Sequence, residues 1–372
     1  MKFLNYILRN AGRNPVRSLL TVASMTICLF LMVILVSFIS INDEVSGSLR
    51  AYNRIIVMSS QGFAGLVPIA RVNEVAAMDG VIAATPFRWY GGKYGEETMP
   101  FAQFGVDPDT VFTIYDELTI PPDQLKAFQG DKAGCVVGKR LAEDRGWNVG
   151  DPLPLKGDLF PLNLNLTIRG IYDGPPNRDR RMVMFHWGYL DEGLKRDPQG
   201  VGMAGNAGIV VAKCGSGDRM AGLARRIDAL YLNSDTPTRT QTEEAFGKMF
   251  SEMLGDLKLV IEIIGLVVVV ALVLVAGNAM AMALRERTTE VAVLKAIGFG
   301  KPLVLMMVLA EAMTISGLGG IIGALGSKLL FDFVDASKYT GGFLPFFYIS
   351  WSTALIGLAA SLLIGFLSGV IP

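Results

Sequence analysis

The side chains that most often carry chemistry are few in this sequence. His186 is the single histidine among 372 residues, which excludes multi-histidine metal sites and leaves a hydrolytic triad one candidate base. The three cysteines, Cys28, Cys135 and Cys214, show no C-x-x-C spacing, so zinc-ribbon and thioredoxin-like chemistry fails. Cys28 lies in an apolar run. Cys135 and Cys214 fall in one polar stretch, where a disulfide between them and two separately buried thiols are both allowed. No G-x-x-x-x-G-K-[ST] loop occurs: Gly138-Lys139 and Gly300-Lys301 lack the hydroxyl residue and the second glycine that cradle phosphate. No catalytic set, no metal site and no directly bound cofactor is expected, and any energy source must belong to another chain.

Two intramembrane features remain. The string GLGGIIGALG (317–326) sits inside an apolar run, where Gly319, Gly320 and Gly323 form a small-residue face suited to close helix packing. Glu311 lies in the same run, ten residues beyond Lys301 and so about 15 Å deep if the helix begins there. A carboxylate at that depth is paired inside the bundle, or a shallower register lets it snorkel to the interface.

These residues need membrane helices to hold them. The chain is 51% hydrophobic and 18% charged, below the roughly 25% charge of soluble domains. Four apolar runs are long enough to span, at 18–42, 257–284, 302–330 and 349–372. The first exceeds the hydrophobic core of a secretory signal and reads as an uncleaved anchor. Lys2, Arg9, Arg13 and Arg17 precede it, and Arg285, Arg287, Lys295 and Lys301 fall between the second and third runs. The loop at 331–348 holds Lys338 with Asp332 and Asp335. Basic loops stay in the cytoplasm, which puts both termini inside, the short segment 285–301 inside, and residues 43–256 outside. Residues 1–17, with Phe3, Leu4, Ile7 and Leu8 at helical spacing, read as an amphipathic helix lying in the interface on membrane lipid. Net charge is zero, so no basic field recommends a nucleic-acid partner.

The segment 43–256 reads as an α+β domain, in one lobe or two. Strands are expected at 54–60, 99–106, 134–138, 164–172 and 208–213, and helices at 70–80, 139–147, 218–233 and 241–258. Thr240 is the expected N-cap of the last, with Glu243 at the capping-box position. The turn GPPNRDRR (174–181) gathers Arg178, Arg180 and Arg181, either as a solvated loop or as a contact patch for an acidic partner or lipid. The fold class is thus four transmembrane helices with an α+β extracytoplasmic domain inserted between the first and second.

The segment LRERTTEVAVLKAIG (284–298) resembles the cytoplasmic loop of MacB/FtsX-type ABC transporter permeases at Arg287, Thr288, Glu290, Val291, Lys295, Ala296 and Gly298, with Ala292 in place of the usual first glycine. Glu311-Ala312 and the glycine string after it resemble the family's next span. VVGKRLAEDRGWNVGDPLPLKG (136–157) and IDALYLNSDTPTRTQTEEAF (227–246) resemble the MacB-like periplasmic core. The resemblance implies a permease of the bacterial inner membrane whose loop, through Arg287, Glu290, Lys295, Ala296 and Gly298, docks on a separate ABC ATPase holding ATP and Mg. It implies a second permease copy or a paralogue, a periplasmic adaptor as a further partner, and transmission of ATP-driven motion to the outer domain. The activity is then export or extraction of a substrate, or, as the alternative, FtsX-like regulation of an extracytoplasmic hydrolase. The family's cytoplasmic tail after the fourth span is not seen up to Pro372 and stays open.

Overall fold

In the computed structural model the described residues are 15–98, 101–175, 178–253, 257–286, 288–298, 300–334 and 347–370. The amphipathic helix expected over 1–17 lies almost wholly outside them, as do Arg287 and the charges at 335–340. The chain divides into two compact units, one holding the apolar helices and the other residues 43–253.

Helix α1 runs Pro15–Leu49, and its stretch Ser18–Ile41 is long and apolar enough to cross a membrane. A 3-10 turn at Arg50–Tyr52 ends it, and Asn53, in the left-handed region at φ 52°, redirects the chain into β1, Arg54–Ser59. The other strands of the main sheet are β2 (Val81–Trp89), β3 (Gln103–Val106), β4 (Gly134–Gly138), β5 (Pro152–Leu155), β6 (Leu164–Tyr172), β7 (Val183–His186), β8 (Ile209–Cys214) and β9 (Thr238–Thr242). They form a nine-stranded sheet in the order β9-β1-β8-β2-β3-β7-β4-β6-β5. Among the described residues only β3–β7 and β4–β6 pair in parallel.

Both faces of this sheet are covered, which is why β1 and β4 read as continuous apolar runs rather than alternations. Cys135 and Val137 enter one core with Leu153, Ile168 and Phe185, while Val136 between them points into another with Phe87, Ile114 and Met184. A third core lies under α2 (Ala70–Ala76) and α7 (Met220–Tyr231), around Val57, Val75, Val210 and Ile227. Smaller helices complete the layers: α3 (Val111–Ile114), α4 (Pro122–Gly130), α5 (Lys139–Arg145) and α6 (Trp187–Arg196). The outer strand β5 carries Pro152 and Pro154, which remove donors and discourage edge pairing.

The structure differs from the sequence expectation at the end of the domain. Residues 238–242 are a strand, because Thr238 and Thr240 bond Asp228: Thr240 donates through N at 3.0 Å and Oγ1 at 2.7 Å. Helix α8 therefore starts later, at Glu243–Met253, and its cap is Thr242, whose Oγ1 accepts from Ala245 N at 3.1 Å. Glu243 is not a capping-box partner; its carboxylate turns inward to Arg54.

Three further apolar helices follow. They are α9 (Leu257–Glu286), α11 (Lys301–Gly320) continuing through a π-helical turn, Ile321–Leu325, into α12 (Gly326–Phe333), and α13 (Trp351–Val370); α10, Thr288–Ala296, lies between α9 and α11. The stretches Leu259–Met282, Lys301–Phe333 and Trp351–Val370 are each long and apolar enough to span. The Lys301–Phe333 stretch runs past Lys328, a charge that interrupts the apolar run; it is paired with Asp332 at 2.8 Å and lies 5.2 Å from the Trp351 ring.

Candidate functional site

Helix α10 begins after Arg285, whose carbonyl accepts from Thr288 Oγ1 at 3.3 Å, and ends at Ala296. Gly298 follows with φ +100°, a conformation that side chains resist. Gly300 then caps α11, with Pro302 in its first turn. Thr289, Ala292, Val293 and Ala296 are all exposed. At spacings i, i+3, i+4 and i+7 they form one uncharged stripe along the helix. Ile297, 70% exposed, extends it. Glu290 and Lys295 lie within the same helix.

Glu311 sits on α11 and is buried, on the face that carries Ala312, Ile315, Ser316, Gly319 and Gly320. The glycines make the close approaches. A Cβ on Gly319 would stand 2.5 Å from Met25 Cβ of α1, and one on Gly323 would stand 2.7 Å from Thr26 O. Gly320 faces α13, where a Cβ would collide with Ser361 Oγ. Thr26 Oγ1 reaches Gly319 O at 3.5 Å across the α1–α11 contact. Gly323→Leu is therefore expected to push α1 from α11 at a cost of about 1–3 kcal/mol, lowering the melting temperature in detergent while membrane insertion persists. An unchanged melting temperature would show that the approach is not tight.

The outer residues resolve differently from the sequence reading. His186 is a core residue: Nε2 lies 2.6 Å from Phe128 O and its ring stands edge-on to Phe128. Cys135 and Cys214 are free thiols in different cores. Their strands β4 and β8 are four steps apart in the sheet, roughly 19 Å at strand spacing, far beyond the reach of a disulfide. Burial pushes the Cys135 thiol far up and that of Cys214 up to about 11. The arginines of the 174–181 turn are engaged within the chain: Arg178 with Glu117 at 3.1 Å, Arg180 with Asp173 at 3.3 Å, and Arg181 with Asp144. Among the described residues no group of three or more His, Cys, Asp or Glu side chains is placed to hold a metal ion.

Sequence reasoning missed one site altogether. Arg54 is fully buried, its Nε donating to Glu243 Oε2 at 2.6 Å and its two terminal nitrogens to the Glu117 carboxylate at 2.8 Å each. A third acceptor is Ile114 O at 3.1 Å. Tyr52 and Tyr115 lie over the guanidinium at 4.7 and 4.3 Å, and Arg178 stands 4.2 Å from the Tyr52 ring. Burial alone would lower the Arg54 pKa; the hydrogen bond to Glu117 and the charges of Glu243 and Glu117 outweigh it and hold the cation charged. Burial pushes the Glu243 carboxyl up, against the pull of Arg54.

Comparison with known proteins places both units. Residues 18–230 match the family model of the MacB-like periplasmic core domain, and residues 262–372 that of the FtsX-like permease C-terminal domain. An uncharacterised ABC transporter permease of Methanocaldococcus jannaschii is 24% identical over 389 aligned positions, covering 99% of this chain and 94% of its own length. Among solved structures, the periplasmic region of MacB from Actinobacillus actinomycetemcomitans covers 54% of this chain and 92% of its own, at 10% identity and a TM-score of 0.38. The extracellular domain of the ABC-type transporter YknZ from Gram-positive bacteria covers 51% and 100%, at 13% identity and a TM-score of 0.38.

Proposed function

Since the chain belongs to the MacB/FtsX-like family of ABC transporter permeases, we propose that it takes ATP-driven motion from a separate ATPase at α10 and passes it to its 43–253 domain, to export or extract a substrate on the outer side of the membrane. The observation that carries this reading is the α10 stripe. Thr289, Ala292, Val293 and Ala296 are exposed, uncharged and small enough for another protein to approach closely. An ATPase dimer offers two clefts and this chain one such helix, so two permease copies or a paralogous pair complete the assembly. A periplasmic adaptor fits the same scheme. The match of residues 18–230 to a MacB-like core favours export or extraction over hydrolase regulation. The test is ATP hydrolysis by the purified ATPase with and without this chain in a bilayer: stimulation is expected, and its absence removes the coupling role.

The orientation follows from the basic residues flanking the first span and α10. It is read most cleanly with Ala127→Cys, because Ala127 is exposed on α4 whereas Cys135 and Cys214 are buried with raised pKa values. An impermeant thiol reagent should label this variant in intact inner membranes and leave the wild type nearly unlabelled. Labelling of Ala127→Cys only after the inner membrane is lysed would invert the topology.

A further inference from the structure

Arg54 opens β1 and Glu243 opens α8. The β1–β9 ladder pairs Ile55 with Thr242 at its last register, so Arg54 and Glu243 face one another one step beyond it, and their 2.6 Å ion pair closes the ladder's end. One of these residues follows α1, which carries the first span, after a 3-10 turn and Asn53, and the other begins the segment that leads to the second span. Any separation of the two segments therefore acts first on this end. Without a clamp it would open the ladder one hydrogen bond at a time.

Arg54 has a second attachment. Its fork on Glu117 and its bond to Ile114 O seize the 111–118 arm, whose Val111, Ile114 and Leu118 lie in the core formed with Phe87, Val106, Val136 and Met184 from the middle of the sheet. Arg178 forms an ion pair with the same Glu117 at 3.1 Å. A buried ionic cluster is a poor source of net stability, since well-packed apolar residues of similar volume usually serve as well or better. Its distinctive property is directional: one planar group ties its own strand to two other chain segments in fixed geometry.

We propose that Arg54 is a positioning residue for motion, joining the two membrane-connected segments to the 111–118 arm so that their displacement reaches the middle of the sheet. This rests on the reading that the spans drive the domain, and the experiment separates the two. The full chain is placed in dimyristoyl and in longer-chain phosphatidylcholine nanodiscs, whose differing thickness changes the tilt of the spans. Amide hydrogen exchange is then followed at 238–246 and 111–118. In the wild type both segments should change between bilayers by roughly threefold. In Glu117→Gln, which removes the charged fork and leaves only the bond to Ile114 O, the 238–246 change should remain and the 111–118 change should fall well below that of the wild type, at a melting temperature that shows the fold intact. A purely structural role would leave the bilayer response at 111–118 unaltered. If Glu117→Gln does not fold, Arg54→Lys, which keeps the charge and loses the fork, carries the same test. A folded variant that keeps the 111–118 response overturns the proposal. A wild type silent at both segments overturns the underlying reading instead.

Discussion

Arg54→Met is expected to destabilise the 43–253 domain by about 3–5 kcal/mol, a fall on the order of 10 °C in melting temperature. Methionine keeps much of the length and stays apolar, so the loss is chiefly one of counter-charge. Arg178 still answers Glu117, but Glu243 is left buried without its partner at 2.6 Å. The deficit has a definite pH dependence. Burial already pushes the Glu243 carboxyl up, and the charge and hydrogen bond of Arg54 are the leading influences that hold it down; removing them raises it further. A carboxyl whose folded pKa lies above its unfolded value binds its proton better when folded. The loss is thus complete above the folded pKa and shrinks as the pH falls towards the unfolded one. Thermal unfolding of the purified chain at neutral and mildly acid pH checks both points. Wild-type melting, or a deficit that grows on acidification, would contradict the role given to Arg54. Arg54→Met combined with Glu243→Gln removes both halves of one pair, leaves Glu117 to Arg178, and should recover most of the loss.

The spans and several strands were readable because their signals are local. GCVVG is a buried run and LNLTIRGIY an alternating one, and they coincide with β4 and β6, while the four apolar helices announce themselves by length. Strand β2 was not readable, since it contains Pro86 in the middle of a sheet. The structure tolerates it by geometry: Phe87 O faces β8, where Gly208 N donates to it, so Pro86 turns its missing donor towards β3. That strand pairs with β2 only at Arg88 and Trp89. Strand β9 was hidden for another reason: TRTQT has no apolar face of its own and is held by Asp228. The Arg54 cluster was the least legible feature. Its acids lie 63 and 189 residues away in sequence, and a single arginine ahead of an apolar strand looks like any solvated end. The one available signal was positional: Arg54 and Glu243 each stand where a membrane-connected segment meets a strand.

Ala296→Trp is expected to reduce stimulation of the partner ATPase to its basal rate, with co-purification lost as well. The choice of Ala296 over Gly298 follows from the backbone. Gly298 has φ +100°, so any side chain there strains the loop before it meets a partner. A loss of coupling at Gly298 would have two causes. Ala296 is an exposed helical residue closing α10, where a large side chain costs this chain little, within about 0.5 kcal/mol for a surface site. What the indole meets is the occupant of the stripe formed with Thr289, Ala292 and Val293. A partner seated closely on small residues cannot admit it, and a docking constant weakened by more than about tenfold corresponds to only 1.4 kcal/mol of overlap. Ala127→Trp, also at an exposed helical position but on α4 of the other unit, is the control and should leave stimulation intact. If Ala296→Trp inserts normally and still binds and stimulates the ATPase as the wild type does, α10 is not the coupling element. Motion would then have to enter the chain elsewhere, and the stripe would be no more than a lipid-facing or solvated surface.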